Sequence, residues 1–142
     1  MSATGLIGSA EPLASTYDLA LVDLDGVAYR GHQPIEHAAA SLESARALGM
    51  SLLFITNNAS REPEEVAAQL TALDIPTTAD EVLTAAQAAA ALLATRLAPG
   101  DRVLVVGGKG LRTATDLAGF TVVDSAEDDP VAVVQGFSPE IG

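Results

Sequence analysis

Short apolar runs alternate along this chain with stretches whose apolar residues recur at helical spacing. Residues 18–22 (DLALV) are mostly apolar and end against Asp23 and Asp25. They predict a buried strand with acids at its carboxyl end. Residues 34–48 follow. Ile35, Ala38, Ala39, Leu42, Ala45 and Leu48 recur every three or four positions. That spacing predicts a helix with Pro34 in its first turn and Gly49 as its stop. Residues 51–55 (SLLFI) predict a second buried strand, ending in Thr56, Asn57 and Asn58. A second helix is expected over 63–73, with Val66, Ala67, Leu70 and Leu73 on one face. Two strand–helix units in succession, both with near-continuous apolar strands, imply a parallel sheet with crossover helices.

The rest of the chain repeats the alternation. A short strand at 82–83 leads to Thr84, which caps a helix over 85–97. Strands are expected at 102–106 (RVLVV), 120–123 and 131–135. A helix begins after Gly107 and Gly108 and runs to about Leu117, with Gly119 ending it. No covering helix follows the strand at 131–135, so the expectation is an α/β unit that stops part-way. Residues 1–16 carry neither a positive start nor a strong apolar block. They read as a frayed tail rather than a secretory signal. No apolar run approaches the ~18 residues of a spanning helix.

Composition narrows the function. The 142 residues are 49% hydrophobic and 18% charged, which excludes an intrinsically disordered chain. There is no cysteine, so disulfide scaffolds, thiol catalysis and thiolate zinc sites are excluded. That absence fits a reducing cytoplasm. The net charge of -12 would repel nucleic acid and anionic membranes, and the six arginines and single lysine form no basic stripe. A small anionic substrate stays open, because a bound cation can invert the local charge.

Candidate chemistry sits at the strand ends, where open α/β sheets place their ligands. Asp23, Leu24, Asp25 and Gly26 put two carboxylates at i and i+2, with a glycine that lets the backbone turn away. One carboxylate can attack phosphorus, and the second can give and take a proton. Both can face a Mg²⁺ ion through oxygen. A calcium loop does not fit, because the later acidic positions of its 12-residue pattern are missing. A plain Asp-Gly turn is the simpler alternative. Thr56, Asn57 and Asn58 offer a hydroxyl, side-chain amides and backbone N–H groups that can hold phosphoryl oxygens. Their simpler reading is a turn that caps the next helix.

DLDGVAYRG at 23–31, followed about thirty residues later by FITNNASR at 54–61, resembles the haloacid dehalogenase superfamily of phosphatases. The resemblance is to its class IIA branch, which includes 4-nitrophenylphosphatase and phosphoglycolate phosphatase. Segments TAAQAAAALL, VLVVGGKGL and VAVVQGF also fit that branch. The resemblance implies a Rossmann-like α/β core interrupted by an inserted α/β cap. Residues 17–84 would be the amino-terminal half of the core and 85–142 the start of the cap. The whole enzyme would be roughly twice as long, and this chain alone inactive.

By the same resemblance, Asp23 is the nucleophile that forms an aspartyl-phosphate and binds Mg²⁺. Asp25 is the general acid and base, and its backbone carbonyl is a metal ligand. Thr56, Asn57 and Asn58 grip the phosphoryl group. Asn58, Arg61 and Gly26 support the two loops. Ala28 replaces the larger apolar residue or threonine usual in the family. The implied substrate is a small phosphorylated cytoplasmic metabolite of the glycerol 3-phosphate, phosphoglycolate or aryl phosphate type. A homodimer formed through the cap is compatible with it.

Three alternatives remain open at this point. The first is a catalytically incomplete fragment or pseudoenzyme that binds phosphate or a partner without turnover. It draws support from the missing third-motif lysine and fourth-motif aspartates. The second is a miniature enzyme that uses Lys109 with Asp124, Asp128 and Asp129. The third is nucleotide binding at 103–110, a strand followed by Gly107, Gly108, Lys109 and Gly110, although neither glycine-loop consensus is complete. His32 could line the mouth of the site, and His37 reads as helix surface or packing.

Overall fold

In the computed structural model, which describes residues 8–139, two three-stranded parallel sheets follow one another along the chain. The first contains β1 (Leu19–Asp23), β4 (Ser51–Thr56) and β5 (Val82–Thr84), in the order β1-β4-β5. Side chains alternate across it. Ala20, Val22, Leu52, Phe54 and Val82 face a core that α1 (Ala38–Ala47) and α2 (Pro63–Ala72) help to close. Leu24 extends this core into the turn after β1 and is 0% exposed. The fold class expected from the pattern is therefore the one observed, parallel sheet with helices packed on it.

The second sheet has β6 (Arg102–Val106) at its centre, with β7 (Thr121–Val123) and β8 (Ala132–Gln135) on either side. Val103, Val105 and Val134 pack against α3 (Ala85–Ala94) and α4 (Lys109–Leu117). Thr84 caps α3 as expected, its Oγ1 accepting from the Gln87 N–H at 3.2 Å. Ala59, from the loop after β4, is buried in this second core, so the two units share a seam.

Among the described residues, helices cover only one face of each sheet. On the other face of the first sheet lie Leu19, Leu21, Leu53, Ile55 and Leu83, with Leu21 62% exposed. On the second lie Leu104, Val106 and Val133, the last 61% exposed. Parallel sheets are ordinarily covered on both sides.

The region before α1 departs from the sequence pattern. Tyr29–Arg30 (β2) and Gln33–Pro34 (β3) form a small antiparallel hairpin, so Pro34 belongs to a strand and the helix begins only at Ala38. The Ile35 N–H donates to Ala28 O, and His37 takes a left-handed φ of 68°, which helical backbone does not allow. Helix α3 ends at Ala94, short of its apolar run, as the chain tightens: the Thr95 N–H donates to Leu92 O and the Arg96 N–H to Leu93 O, each three residues back. Leu13–Ser15 make one 3₁₀ turn, with Ala14 against the first core. The first seven residues of the expected tail, and residues 140–142, lie outside the described part. Among the described residues no helix is long and apolar enough to cross a membrane.

Candidate active site

Strands β1 and β4 are adjacent and parallel, with Asp23 opposite Ile55, so their carboxyl ends open onto the same edge. A cleft of about 940 Å³ lies there. Asp23, Asp25, Thr56, Asn57, Asn58 and Arg61 all line it. The sequence-derived residues thus converge in space, and His32 stands at the same cleft. Gly26 is the exception; it shapes the turn from behind with a φ of 85°.

The first turn is built on Leu24. Its buried side chain fixes the residue between two exposed aspartates. Its carbonyl accepts from the N–H groups of Val27, Ala28 and Tyr29 at 2.9–3.2 Å. The Gly26 N–H closes the turn on Tyr29 O at 2.7 Å. Asp23 Oδ1 accepts from the Leu24 N–H at 2.8 Å, which orients the carboxylate. Asp23 is the last residue of β1 and Asp25 stands in the turn, and both are exposed, which avoids the cost of burying charge.

The second turn ties itself together through side chains. The Asn58 N–H donates to Thr56 Oγ1 at 3.1 Å. Asn58 Oδ1 accepts from both the N–H and the hydroxyl of Ser60, each at 2.8 Å. The carbonyl side of the Asn58 amide is therefore spent on the loop, while Asn57 projects exposed into the cleft. Glu62 and Glu65 then start α2 with a reciprocal capping box. The Arg61 guanidinium donates to Gln69 Oε1 and to the Tyr29 hydroxyl, so it is held at the cleft wall by α2 and the hairpin.

The sequence pattern did not single out Tyr29, Gly31, Gln69, Phe137 or Pro139, which complete the lining. Phe137 is 68% exposed and comes from the end of β8, in the second unit. Only the aromatic just after a strand-ending glycine hinted at it. Asp23 and Asp25 offer hard oxygen donors, which suit Mg²⁺ held with several waters and a phosphate. Among the described residues no third acidic or histidine side chain joins them in a cluster able to hold a metal.

The residues of the miniature-enzyme alternative lie elsewhere. Lys109 pairs with Glu62 at 2.5 Å, Asp124 with Arg112 at 2.7 Å, and Asp129 with Arg102 at 3.4 Å. Asp128 caps its own 3₁₀ turn. None of them lines the cleft. Glu62 is held below the usual carboxylate range, chiefly by its hydrogen bonds from Lys109 and Thr113. Lys109 is held above the usual lysine value, chiefly by its hydrogen bond to Glu62.

Residues 20–121 match the haloacid dehalogenase-like hydrolase family. The chain belongs to that family. It is 46% identical over 130 residues to D-glycerol 3-phosphate phosphatase of Mycobacterium tuberculosis, covering 92% of this chain and 36% of the relative. It is 38% identical over 117 residues to an acid sugar phosphatase of Staphylococcus saprophyticus, covering 82% of this chain and 45% of that protein. The crystal structure of the mycobacterial glycerol phosphate phosphatase in complex with magnesium superposes with a TM-score of 0.86 at 46% identity. That match covers 91% of this chain and 39% of the other. The chain thus spans less than half the length of these haloacid dehalogenase-like relatives.

Proposed function

We propose that these residues carry out hydrolysis of a small phosphomonoester through an aspartyl-phosphate. The observation that supports this reading is the convergence of Asp23, Asp25, Thr56 and Asn57 on one cleft at the carboxyl edge of a parallel sheet. Asp23 Oδ2 attacks phosphorus in line as the bond to the leaving oxygen breaks. Asp25, protonated, gives its proton to the departing alkoxide. It then takes a proton from water, whose oxygen attacks the phosphorus of the aspartyl-phosphate, releasing phosphate and regenerating Asp23. The Thr56 hydroxyl and the Asn57 amide donate to the phosphoryl oxygens. Asn58 and Arg61 hold the loop in place. Magnesium, held by the Asp23 carboxylate and the Asp25 backbone carbonyl, would draw off phosphoryl charge and screen the two acids from the substrate dianion.

The second sheet, in this reading, is the beginning of an inserted cap, and Phe137 and Pro139 are its contribution to the cleft. Glycerol 3-phosphate is the first substrate to try, because the mycobacterial relative is named for it. Sugar phosphates follow from the staphylococcal one. The cytoplasm is the proposed place of action. The chain by itself is proposed to be inactive, since its lysine is engaged with Glu62 away from the cleft.

Phosphate release with and without Mg²⁺ tests the reading, on this chain and on a version extended to the relatives' length. The extended protein should turn over in a Mg²⁺-dependent way and the chain alone should not. Asp25→Asn in the extended protein should slow glycerol 3-phosphate hydrolysis by roughly 10²- to 10⁴-fold, as loss of a general acid does. The same change should slow 4-nitrophenyl phosphate far less, because nitrophenolate leaves without a proton. Equal losses on the two substrates would give Asp25 a loop-holding role instead.

A further inference from the structure

The segment Gly107, Gly108, Lys109 and Gly110 resembles a phosphate loop in sequence, but the Cβ sides of its glycines are filled by protein. A Cβ on Gly110 would stand 2.4 Å from Arg61 O and 2.9 Å from Ala59 O. On Gly108 it would stand 2.8 Å from Ser60 Cβ, and on Gly136 3.1 Å from Ala59 Cβ. None of these glycines has a positive φ. Glycine is needed at them for close approach of two backbones, not for an unusual conformation. What approaches is the loop that carries Asn57 and Asn58.

The contact is also bonded. The Gly110 N–H donates to Ser60 O at 3.0 Å. Beside it, Glu62 accepts from Lys109 Nζ at 2.5 Å and from Thr113 Oγ1 at 2.8 Å. The Glu62 side chain is only 18% exposed. Ser60 in turn donates twice to Asn58 Oδ1, and the Asn58 N–H donates to Thr56 Oγ1. A continuous chain of hydrogen bonds therefore runs from the first turn of α4 to the Thr56 hydroxyl at the cleft.

We propose that the first turn of α4 is a positioning clamp for the loop at 56–61, with Gly110 as the residue that sets the loop's place. The second unit then does more than contribute a wall to the cleft; it fixes where Thr56, Asn57 and Asn58 stand. The functional consequence rests on the phosphoryl-gripping role proposed above for that loop. The clamp itself rests on the geometry alone. A displacement of the loop by the width of one methyl group would misplace the donors by the order of 1 Å, enough to matter for ligand binding.

The test uses the ¹⁵N-labelled chain and two readouts, amide hydrogen exchange and titration with inorganic phosphate in the presence of Mg²⁺. Gly110→Ala should raise exchange at the Asn58 and Ser60 amides about tenfold or more, with the β4 amides of Leu52 and Phe54 unchanged. It should weaken phosphate binding about tenfold. The double variant Lys109→Met with Thr113→Val leaves the glycines alone and should raise exchange at the same two amides by about two- to fivefold. Unchanged exchange at Asn58 and Ser60 in both variants overturns the clamp. Should Gly110→Ala raise exchange throughout the chain, the double variant decides, and an unchanged loop in it overturns the clamp. If the loop amides respond as expected but wild type shows no phosphate-dependent shifts, the clamp stands and the phosphoryl reading of the loop fails.

Discussion

The turn after β1 and the turn after β6 hold equivalent places, each at the carboxyl end of a parallel strand and each bearing glycine. Their surroundings are opposite. Gly26 has a φ of 85° and nothing within 4 Å of its Cβ position. Gly110 has ordinary helical backbone and a neighbouring carbonyl 2.4 Å from where its Cβ would be. The first turn bonds mostly to itself, around the carbonyl of Leu24, and so leaves its outer side open for chemistry. The second turn spends its N–H on Ser60 and fills its outer side with another loop. A glycine-bearing strand end leaves room for a ligand only where the space beside it stays empty, and that depends on the neighbours rather than on the turn.

The comparison breaks most decisively at the open turn. Asp23→Asn keeps the size and backbone of the residue but replaces the proposed nucleophile with a carboxamide. In the protein extended to the relatives' length, turnover of 4-nitrophenyl phosphate should fall by several orders of magnitude, about what removal of other catalytic nucleophiles costs. Its denaturation midpoint should stay near wild type, because Asp23 is exposed. Turnover within tenfold of wild type would remove the difference in role between the two turns.

Swapping residues at the two glycines sharpens the contrast. Alanine at Gly110 meets backbone atoms that cannot move without shifting the loop, and should cost about 2 kcal/mol by overpacking. Alanine at Gly26 meets open space but must adopt left-handed backbone, which costs about 1 kcal/mol. Asparagine reverses the order of preference. It tolerates the left-handed region and should be better than alanine at Gly26, whereas its greater size should make it worse than alanine at Gly110. Urea denaturation of the four variants checks this. The same ranking at both sites would mean that one cause governs both glycines.

Much of the fold was legible because the strands are short and apolar and the helices carry their apolar residues at helical spacing. The strands expected at 18–22, 51–55 and 102–106 needed only a local pattern. The β2–β3 hairpin was not legible. Its strands have two residues each, too short for a period, and Pro34 mimics the first turn of a helix. The carboxylates and the Thr56 turn could be found because they are contiguous in sequence and sit where strands end. Gln69 could not, since it reaches the cleft from the middle of α2 through its bond with Arg61. Phe137 arrives from the other sheet, and only the tight packing of Gly136 on Ala59 brings it there. The packing of Gly108 and Gly110 was not legible for a related reason. Their meaning lies in a contact with residues some fifty positions earlier.

The smallest expected effect is on pH, and it concerns the filled turn alone. Glu62 is held low by Lys109 and Thr113, so its stabilising contribution is present above the ordinary glutamate value of about 4.3 and is lost as pH falls through its lowered value. Lys109 is held high by Glu62, with Glu64 and Glu65 adding to the attraction. Its contribution is complete below the ordinary lysine value of about 10.4 and is lost as pH rises through its raised value. The pair therefore acts across the whole neutral range and fails at both extremes. The difference in melting temperature between wild type and Lys109→Met should be small, flat through neutral pH, and vanish in strong acid and strong base. Added salt should shrink it, because the lysine end of the pair is 68% exposed. A difference that keeps its size in strong acid and strong base would show that the effect does not come from the contact between Glu62 and Lys109.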